Sequence, residues 1–224
     1  WQLIPTRGVH EAQKRWIARR EKVGTLQMLG VDGAMGGQDQ TVIATRHGPE
    51  RAPERGATIG RLVKRKGKDT PDGQSIVALL MGTSWGEEGA GINIDAIGIG
   101  KSAVDVAKVC GLKVNAVVVS NAAHWRDPRH PLQKYLNVRA AMMWRVRSLL
   151  DPEGGPEETR LAIPPDPELL ADLTAPRFSM KQGGLAVESK EDIRERIGRS
   201  TDCGDSVALA CWQAYEMYVG TVNF

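Results

Sequence analysis

Cysteine is scarce in this chain: Cys110, Cys203 and Cys211 are the only three among 224 residues. An odd count with no Cys-x-x-Cys spacing argues against a disulfide framework or a structural zinc site. Cys203 and Cys211 fall in an apolar helical pattern and read as buried reduced thiols, which points to a reducing, intracellular setting. Aromatics make up 5% of the chain, although six of them are tryptophan. No apolar run approaches the ~18 residues of a membrane helix, so no membrane partner is expected. The opening stretch WQLIPTRGVHEAQKRW lacks the apolar segment of a signal peptide, so secretion is not expected either. A charge excess is also missing, with 30 Lys+Arg against 27 Asp+Glu. That balance excludes a polybasic coat for nucleic acid but leaves room for a locally basic groove.

What remains is ordinary globular composition, 41% hydrophobic and 25% charged, in a length that suits one large domain or two small ones. Residues 1–25 read as a basic amphipathic lead-in with a short helix around Trp16. Strand patterns follow at Leu26–Asp32 and Gln40–Arg46, joined by a Gly-rich turn at Gly33–Gly37, and again at Ala57–Arg65. Thr70–Gly82 opens with Thr-Pro-Asp and reads as a helix. Gly91–Asp95 is a buried strand, Ser102–Val109 a helix and Val114–Ser120 a strand. Three consecutive strands imply an antiparallel meander. The strand–helix–strand units after it add parallel strands, giving a mixed α/β sheet. Further on, Val138–Leu150 and Lys190–Ile197 read as helices, Asp151–Pro167 as a loop, Arg177–Val187 as a hairpin turning at Gly183-Gly184, and Thr201–Tyr218 as the last helix.

Two acids close strands. Asp32 ends the first strand and Asp95 the strand after the first helix, each followed by small residues that let the chain turn sharply. Asp202 and Asp205 share one face of the last helix. A strand-terminal Asp is often no more than a turn residue. Carboxylates gathered in one place instead require a cation, and hard oxygen ligands favour Mg²⁺ or Mn²⁺. Gly98-Ile99-Gly100-Lys101-Ser102 ends like a phosphate-binding P-loop, but the pattern needs a glycine where Asp95 stands. Lys101 then reads as a solvated helix-start residue or a phosphate contact. Basic residues crowd at Arg61, Lys64, Arg65, Lys66 and Lys68, and at Arg194, Arg196 and Arg199. Such runs are either solvated faces or contacts to a phosphate backbone.

Four stretches, GVDGAMGGQDQTVIATRHG (30–48), INIDAIGIGKSAVD (92–105), YLNVRAAMMWRVRSLL (135–150) and VESKEDIRERIGRSTDCGDSVALACW (187–212), together resemble the C-terminal nuclease domain of tailed-bacteriophage large terminase subunits. The resemblance implies an RNase H-like mixed sheet flanked by helices and two-metal cleavage of double-stranded DNA. It maps three acidic ligands for two Mg²⁺ or Mn²⁺ ions onto Asp32, Asp95 and Asp205, with Asp202 as an auxiliary metal or water contact. Lys190, in the ESK stretch, reads either as a contact to the active centre or a phosphate or as a surface lysine at a helix start, and Asp39 reads as a turn residue. The DNA-contact candidates are Lys64, Arg65, Lys66, Lys68, Lys101, Lys190, Arg196 and Arg199. Residues 26–224 would form the nuclease domain, with 1–25 leading in from an ATPase motor domain. The sequence holds no P-loop, so translocation is not expected of it. By the same resemblance the partners are the terminase small subunit, the portal protein and the ATPase domain, and the place of action is the host cytoplasm at the procapsid. The rivals are a junction resolvase or RNA-strand hydrolase on the same fold, a non-cutting module that docks on portal or motor, and an actin-like nucleotide-binding domain. The last would need a second copy of the fold, which the irregular second half does not supply.

Overall fold

The computed structural model describes residues 1–19, 24–34, 39–48, 56–83 and 89–213. Its centre is a mixed sheet in the order β3-β2-β1-β5-β6, with β4 also pairing β2. Strand β1 (Thr25–Asp32) is antiparallel to β2 (Gln40–Gly48) and parallel to β5 (Gly91–Asp95), which is parallel to β6 (Val114–Val117). The meander expected from the sequence is present, but its third strand is split into β3 (Thr58–Ile59) and β4 (Val63–Lys66). Arg46 pairs with Ile59 and Ile43 with Val63, so three residues on one side oppose two on the other. This bulge interrupts the ladder at Gly60–Leu62. The Gly33–Gly37 turn lies partly outside the described residues.

Side-chain alternation along the strands sorts the molecule into two layers. Leu29, Val31, Ile43, Ile92 and Ile94 face one way and pack against helices α2 (Gly73–Thr83) and α3 (Ile99–Val109). Val42 and Ala44 face the other way, into a larger core with helices α1 (Thr6–Arg19), α4 (Val138–Leu150), α5 (Pro167–Thr174) and α7 (Asp202–Cys211). The lead-in belongs to this core: Leu3, Ile4, Val9, Ala12 and Trp16 are buried in it, and the Trp16 indole donates to the Ile59 carbonyl at 2.8 Å. A separate hairpin of β7 (Phe178–Lys181) and β8 (Gly184–Val187) turns at residues 182–183, one earlier than expected, and is followed by α6 (Lys190–Ile197).

Most element boundaries have local causes. Helix α2 starts at Gly73 because Asp72 takes the backbone N–H of Ser75 at 2.8 Å. Helix α3 starts at Ile99, three residues early. Gly98 turns with φ +60°, and Gly100 lies so close to the Asp95 carbonyl that a Cβ would clash at 1.7 Å. The glycines that mimic a P-loop therefore serve a strand-to-helix turn. Helix α5, where the sequence suggested no element beyond the loop ending at Pro167, is capped by Asp166, which accepts from Glu168 and Leu169 N–H, with Pro167 in its first turn. Helix α7 ends at Cys211, not Tyr218; residues 214–218 lie outside the described residues. Trp212 is extended, and the buried Asn93 amide donates to the carbonyls of Leu209 and Trp212 at 2.8 and 2.7 Å. Strand β6 stops at Val117, short of Ser120. The three cysteines are free thiols, two buried and Cys110 exposed. Among the described residues no helix is long and apolar enough to cross a membrane.

A close contact between two backbones joins α7 to β1. A Cβ on Gly30 would stand 2.1 Å from the Ser206 carbonyl and 2.2 Å from the Ala210 nitrogen. Gly30→Ala must push the helix off the strand, and we expect a loss of about 3 kcal/mol in urea denaturation. A change below about 0.5 kcal/mol would mean that the two backbones are not locked together. A second anchor is Asp127, ahead of α4, which accepts from the Trp144 indole (3.0 Å), the Ser148 hydroxyl (2.7 Å) and the Arg129 N–H (3.0 Å). Burial pushes its carboxyl up, but these donors outweigh that effect and hold it below the ordinary value. Its stabilisation is thus present above about pH 4 and is lost as pH falls through the lowered value. Asp127→Ala should cost about 1–3 kcal/mol at pH 7, with the difference shrinking in acid, as read from melting curves across pH.

Candidate active site

Four residues on the α7 side of the sheet follow from a period of two. Gly30 and Asp32 on β1 point away from Leu29 and Val31, and Asn93 and Asp95 on β5 point away from Ile92 and Ile94. The parallel register pairs Gly30 with Asn93 and Val31 with Ile94. Asp32 and Asp95 therefore end neighbouring strands side by side. Gly30 lets α7 lie on the strand, and Asn93 ties off its C-terminal end. The N-terminal end is fixed by the fully buried Asp172 of α5, which accepts from the N–H groups of Cys203 and Gly204 at 3.0 and 3.2 Å. With both ends held, the first turn of α7 delivers Asp205 to the strand ends.

The three carboxylates converge on the side-chain nitrogen of Lys190, the first residue of α6. Its Nζ is 3.1 Å from Asp32 Oδ2, 3.3 Å from Asp205 Oδ2 and 4.0 Å from Asp95 Oδ2. All three acids are at least nine-tenths buried. Asp205 is further held by the Thr201 hydroxyl at 2.8 Å and faces Arg139 Nη2 at 3.7 Å. Asp202 sits beside the group and accepts from the Gln40 N–H at 2.8 Å.

Burial pushes the Asp32 carboxyl up to about 7. Lys190 opposes this, and repulsion from Asp205, Asp202 and Asp95 adds to it. Asp95 and Asp202 are also raised, burial first. Asp205 goes the other way: Lys190, Arg139 and the Thr201 hydroxyl outweigh its burial and hold it below the ordinary value. Lys190 is raised despite its burial, because Asp205, Asp32 and Asp95 surround it.

Among the described residues no group of three His, Cys, Asp or Glu side chains is set to hold a metal ion as it stands. The acids turn toward an ammonium instead. Their chemistry nonetheless fits a hard divalent cation: the donors are all carboxylate oxygens, and three of them already lie within 4.0 Å of one positive centre.

The remaining candidates are dispersed. Lys64 is bound to Asp166 and Glu168 at 2.7 and 2.8 Å. Arg196 pairs with Glu188 at 2.6 Å, and Arg199 with Asp172 at 2.5 Å. Arg65 donates to the Lys64 carbonyl and is exposed, as are Lys66, Lys68 and Lys101. The turn just before Asp39 lies outside the described residues; among those described, its carboxylate pairs with Arg194 at 3.0 Å. Sequence reasoning missed Arg139, Thr201, Asn93 and Asp172. The signal for Thr201 was its place four residues before Asp205, one helical turn away. Asn93 was a polar residue inside an apolar strand.

The opposite shifts of Asp32 and Asp205 separate their roles in stability. Ionising Asp32 costs stability as pH rises from about 4 toward 7, whereas ionised Asp205 contributes stability that is lost in acid. In chelator at pH 8, Asp32→Asn should melt at the wild-type temperature or higher, by a margin that narrows at pH 4. Asp205→Asn should melt lower, because Lys190 and Arg139 lose their shared anion. Equal shifts of one sign for both variants would contradict this electrostatic division.

No protein-family model matches the chain, and no curated protein matches it. Solved structures do. A variant of the nuclease domain of the large terminase subunit gp2 of bacterial virus Sf6, with calcium, superposes with a TM-score of 0.74 at 15% identity, covering 95% of this chain and 100% of that one. The same domain with manganese and beta-thujaplicinol gives 0.72 at 14% identity, covering 95% and 99%. The large terminase nuclease from thermophilic phage G20c with bound magnesium gives 0.56 at 18% identity, covering 85% and 83%. With its mixed sheet between two helical layers, the chain has the RNase H-like α/β fold of these phage large-terminase nuclease domains.

Proposed function

We propose that this chain is a divalent-metal-dependent endonuclease that cuts double-stranded DNA with little sequence specificity during phage genome packaging. The observation that carries the reading is the convergence of Asp32, Asp95 and Asp205 on one positive centre at the ends of two parallel strands. The fold shared with phage terminase nucleases supports it, and so do the manganese and magnesium held by two of those relatives.

In this reading Asp32, Asp95 and Asp205 hold two Mg²⁺ or Mn²⁺ ions, and Asp202 assists a metal or orients water. Bound there, the ions supply activation of a water and stabilisation of the departing 3′ oxygen. The protein's own part is positional. Thr201 fixes the Asp205 carboxylate, the Gln40 N–H fixes Asp202, and the strand register fixes Asp32 against Asp95. Lys190 offsets part of the acids' charge, and with cations bound it would be free to turn to a phosphate. Contacts of this kind reach the backbone and not base edges, so little sequence preference is expected. The exposed Lys66, Lys68 and Lys101 are further candidates for phosphate contact. The nuclease domain of 26–224 takes in the lead-in as well, because helix α1 is buried in its core, and an ATPase domain is a further partner. The small subunit and portal are its partners, at the procapsid in the host cytoplasm.

The test is cleavage of plasmid DNA with Mn²⁺ or Mg²⁺. Asp32→Ala and Asp205→Ala should each lower the rate by at least ~100-fold, since the lost charge stabilisation is worth several kcal/mol. Both should retain their circular dichroism spectra. Full activity in either variant would remove the ligand assignment. Preference for a four-way junction or an RNA–DNA hybrid over plain duplex would move the reading to a resolvase or an RNA-strand hydrolase. Binding without any cleavage would move it to a docking module.

A further inference from the structure

Helix α7 departs from the usual pattern at its own start. A Ser or Thr at the capping position of a helix accepts a hydrogen bond from the second or third N–H that follows, with its own backbone extended. Thr201 stands at that position. Its side chain makes no cap bond, and its backbone has φ −105° and ψ +40°, outside the extended range. The hydroxyl donates instead to Asp205 Oδ2 at 2.8 Å. The N–H groups it would have served, those of Cys203 and Gly204, are buried and need an acceptor from the protein.

That acceptor comes from another helix. Asp172 of α5, itself fully buried, takes both N–H groups on one oxygen, Oδ2, at 3.0 and 3.2 Å. Its other oxygen lies 2.5 Å from Arg199 Nη1. Gly204 makes the approach possible, since a Cβ there would stand 3.0 Å from the Asp172 Cβ. We propose that Asp172 is a positioning residue for the acidic centre: by capping α7 from outside the helix, it releases the Thr201 hydroxyl to aim the Asp205 carboxylate. The inference rests on the nuclease reading and adds to it a residue that acts through Thr201 and not by touching a metal. With Asp172 in place, the Thr201 hydroxyl has one task, and the carboxylate it holds keeps one orientation. Without Asp172, two buried N–H groups are orphaned at the start of α7, and Thr201 stands where a cap would. Relaxation of Thr201 to the extended backbone of a cap draws its hydroxyl off Asp205. The loss then appears in metal binding as well as in stability.

The experiment measures Mn²⁺ binding to the whole chain without DNA, from the electron paramagnetic resonance signal of the free ion, alongside melting curves in chelator. Loss of a group that orients a metal ligand weakens metal binding by about 10- to 100-fold. Thr201→Val and Asp172→Ala should each weaken Mn²⁺ binding by roughly tenfold. The double variant should bind no more than about twofold more weakly than either single one, because both changes act on the same hydroxyl. Thr201→Ser and Asp172→Asn should stay within about threefold of the wild type: the first keeps the hydroxyl, and the second keeps an oxygen that accepts both N–H groups.

A lower melting temperature with unchanged Mn²⁺ binding in Asp172→Ala would make Asp172 a structural cap alone and overturn the inference. Losses that multiply in the double variant would overturn it too. If Asp172→Ala does not fold, Asp172→Asn decides: a loss of roughly tenfold there would place the effect in the charge of Asp172 and not in its capping. Mn²⁺ binding by the wild type, with Asp172→Ala and Thr201→Val that match it, leaves the nuclease reading standing and removes this inference. A wild type that binds no Mn²⁺ removes the metal reading, and this inference with it.

Discussion

The contact between two backbones at Gly30 governs the rest of the architecture. Helix α7 does not rest on a cushion of side chains over β1; its Ser206 carbonyl and Ala210 nitrogen reach the strand itself. That closeness fixes where the first turn of the helix ends up. A spacing wider by the thickness of one methyl group would carry Asp205 away from Asp32 and Asp95, and no rotamer change of a side chain as short as Asp could recover it. The surrounding polar residues serve the same placement. Asn93 ties the carbonyl end of α7 to β5, and Asp172 satisfies two N–H groups at its amino end. These anchors are fully buried and polar, which is affordable only because they close backbone groups that would otherwise be orphaned.

Charge is the second constraint, and it acts against the first. Packing brings three carboxylates into a space where water does not dilute their repulsion. The fold answers with Lys190 at the start of α6, a helix beginning after the hairpin and capped by the Ser189 side chain. One ammonium cannot balance three carboxylates, and the residue of that imbalance shows in Asp32, pushed up to about 7, while Asp205 keeps its charge. The centre is thereby held in a state where an added positive charge is favourable. A site that was already neutral would give a divalent ion little reason to enter, and one without Lys190 would repel itself apart.

Much of this was legible in the sequence, and what was not has identifiable causes. Val138–Leu150, Gly91–Asp95 and Lys190–Ile197 were readable to the residue because caps and periodicity agreed: Asn137 caps α4 and Ser189 caps α6. The strand-terminal positions of Asp32 and Asp95 were visible from the small residues after them. That the two strands are neighbours was left open by the sequence, because the crossover rule fixes the hand of a strand–helix–strand unit and not the strand it lands beside. Helix α5 was lost among the prolines of 164–167, although Asp166-Pro167 is itself a helix start. The split between β3 and β4 depends on a bulge that alternation alone does not reveal. The end of α7 was overrun because its apolar pattern continues past Cys211, while the signal that stops it, Asn93, lies on a distant strand.

The basic residues show why charge runs are poor guides to surface function. Arg196 and Arg199 belong to a run that looks like a phosphate-facing stripe. In the fold Arg199 pairs with Asp172, the same acid that caps α7, and Arg196 pairs with Glu188, whose carbonyl also takes Arg139. These side chains are structural counterions because their partners lie on α5 and on the link between β8 and α6, segments far from them in sequence or hidden in mixed composition. Arg139 has the reverse history. Within VRAAMMWRVRSLL it looks like one polar residue of an amphipathic helix, yet it is buried, and two of its nitrogens have no hydrogen-bond partner among the described residues. A formal charge of +3 is therefore a weak description of what an approaching anion meets. Part of the positive charge is neutralised within the fold, and the cleft beside the acidic centre sets Arg139, Arg177, Lys181 and Lys190 among Asp32, Asp95, Glu188, Glu191 and Asp192, where low dielectric makes each charge count for more than it would on an open face.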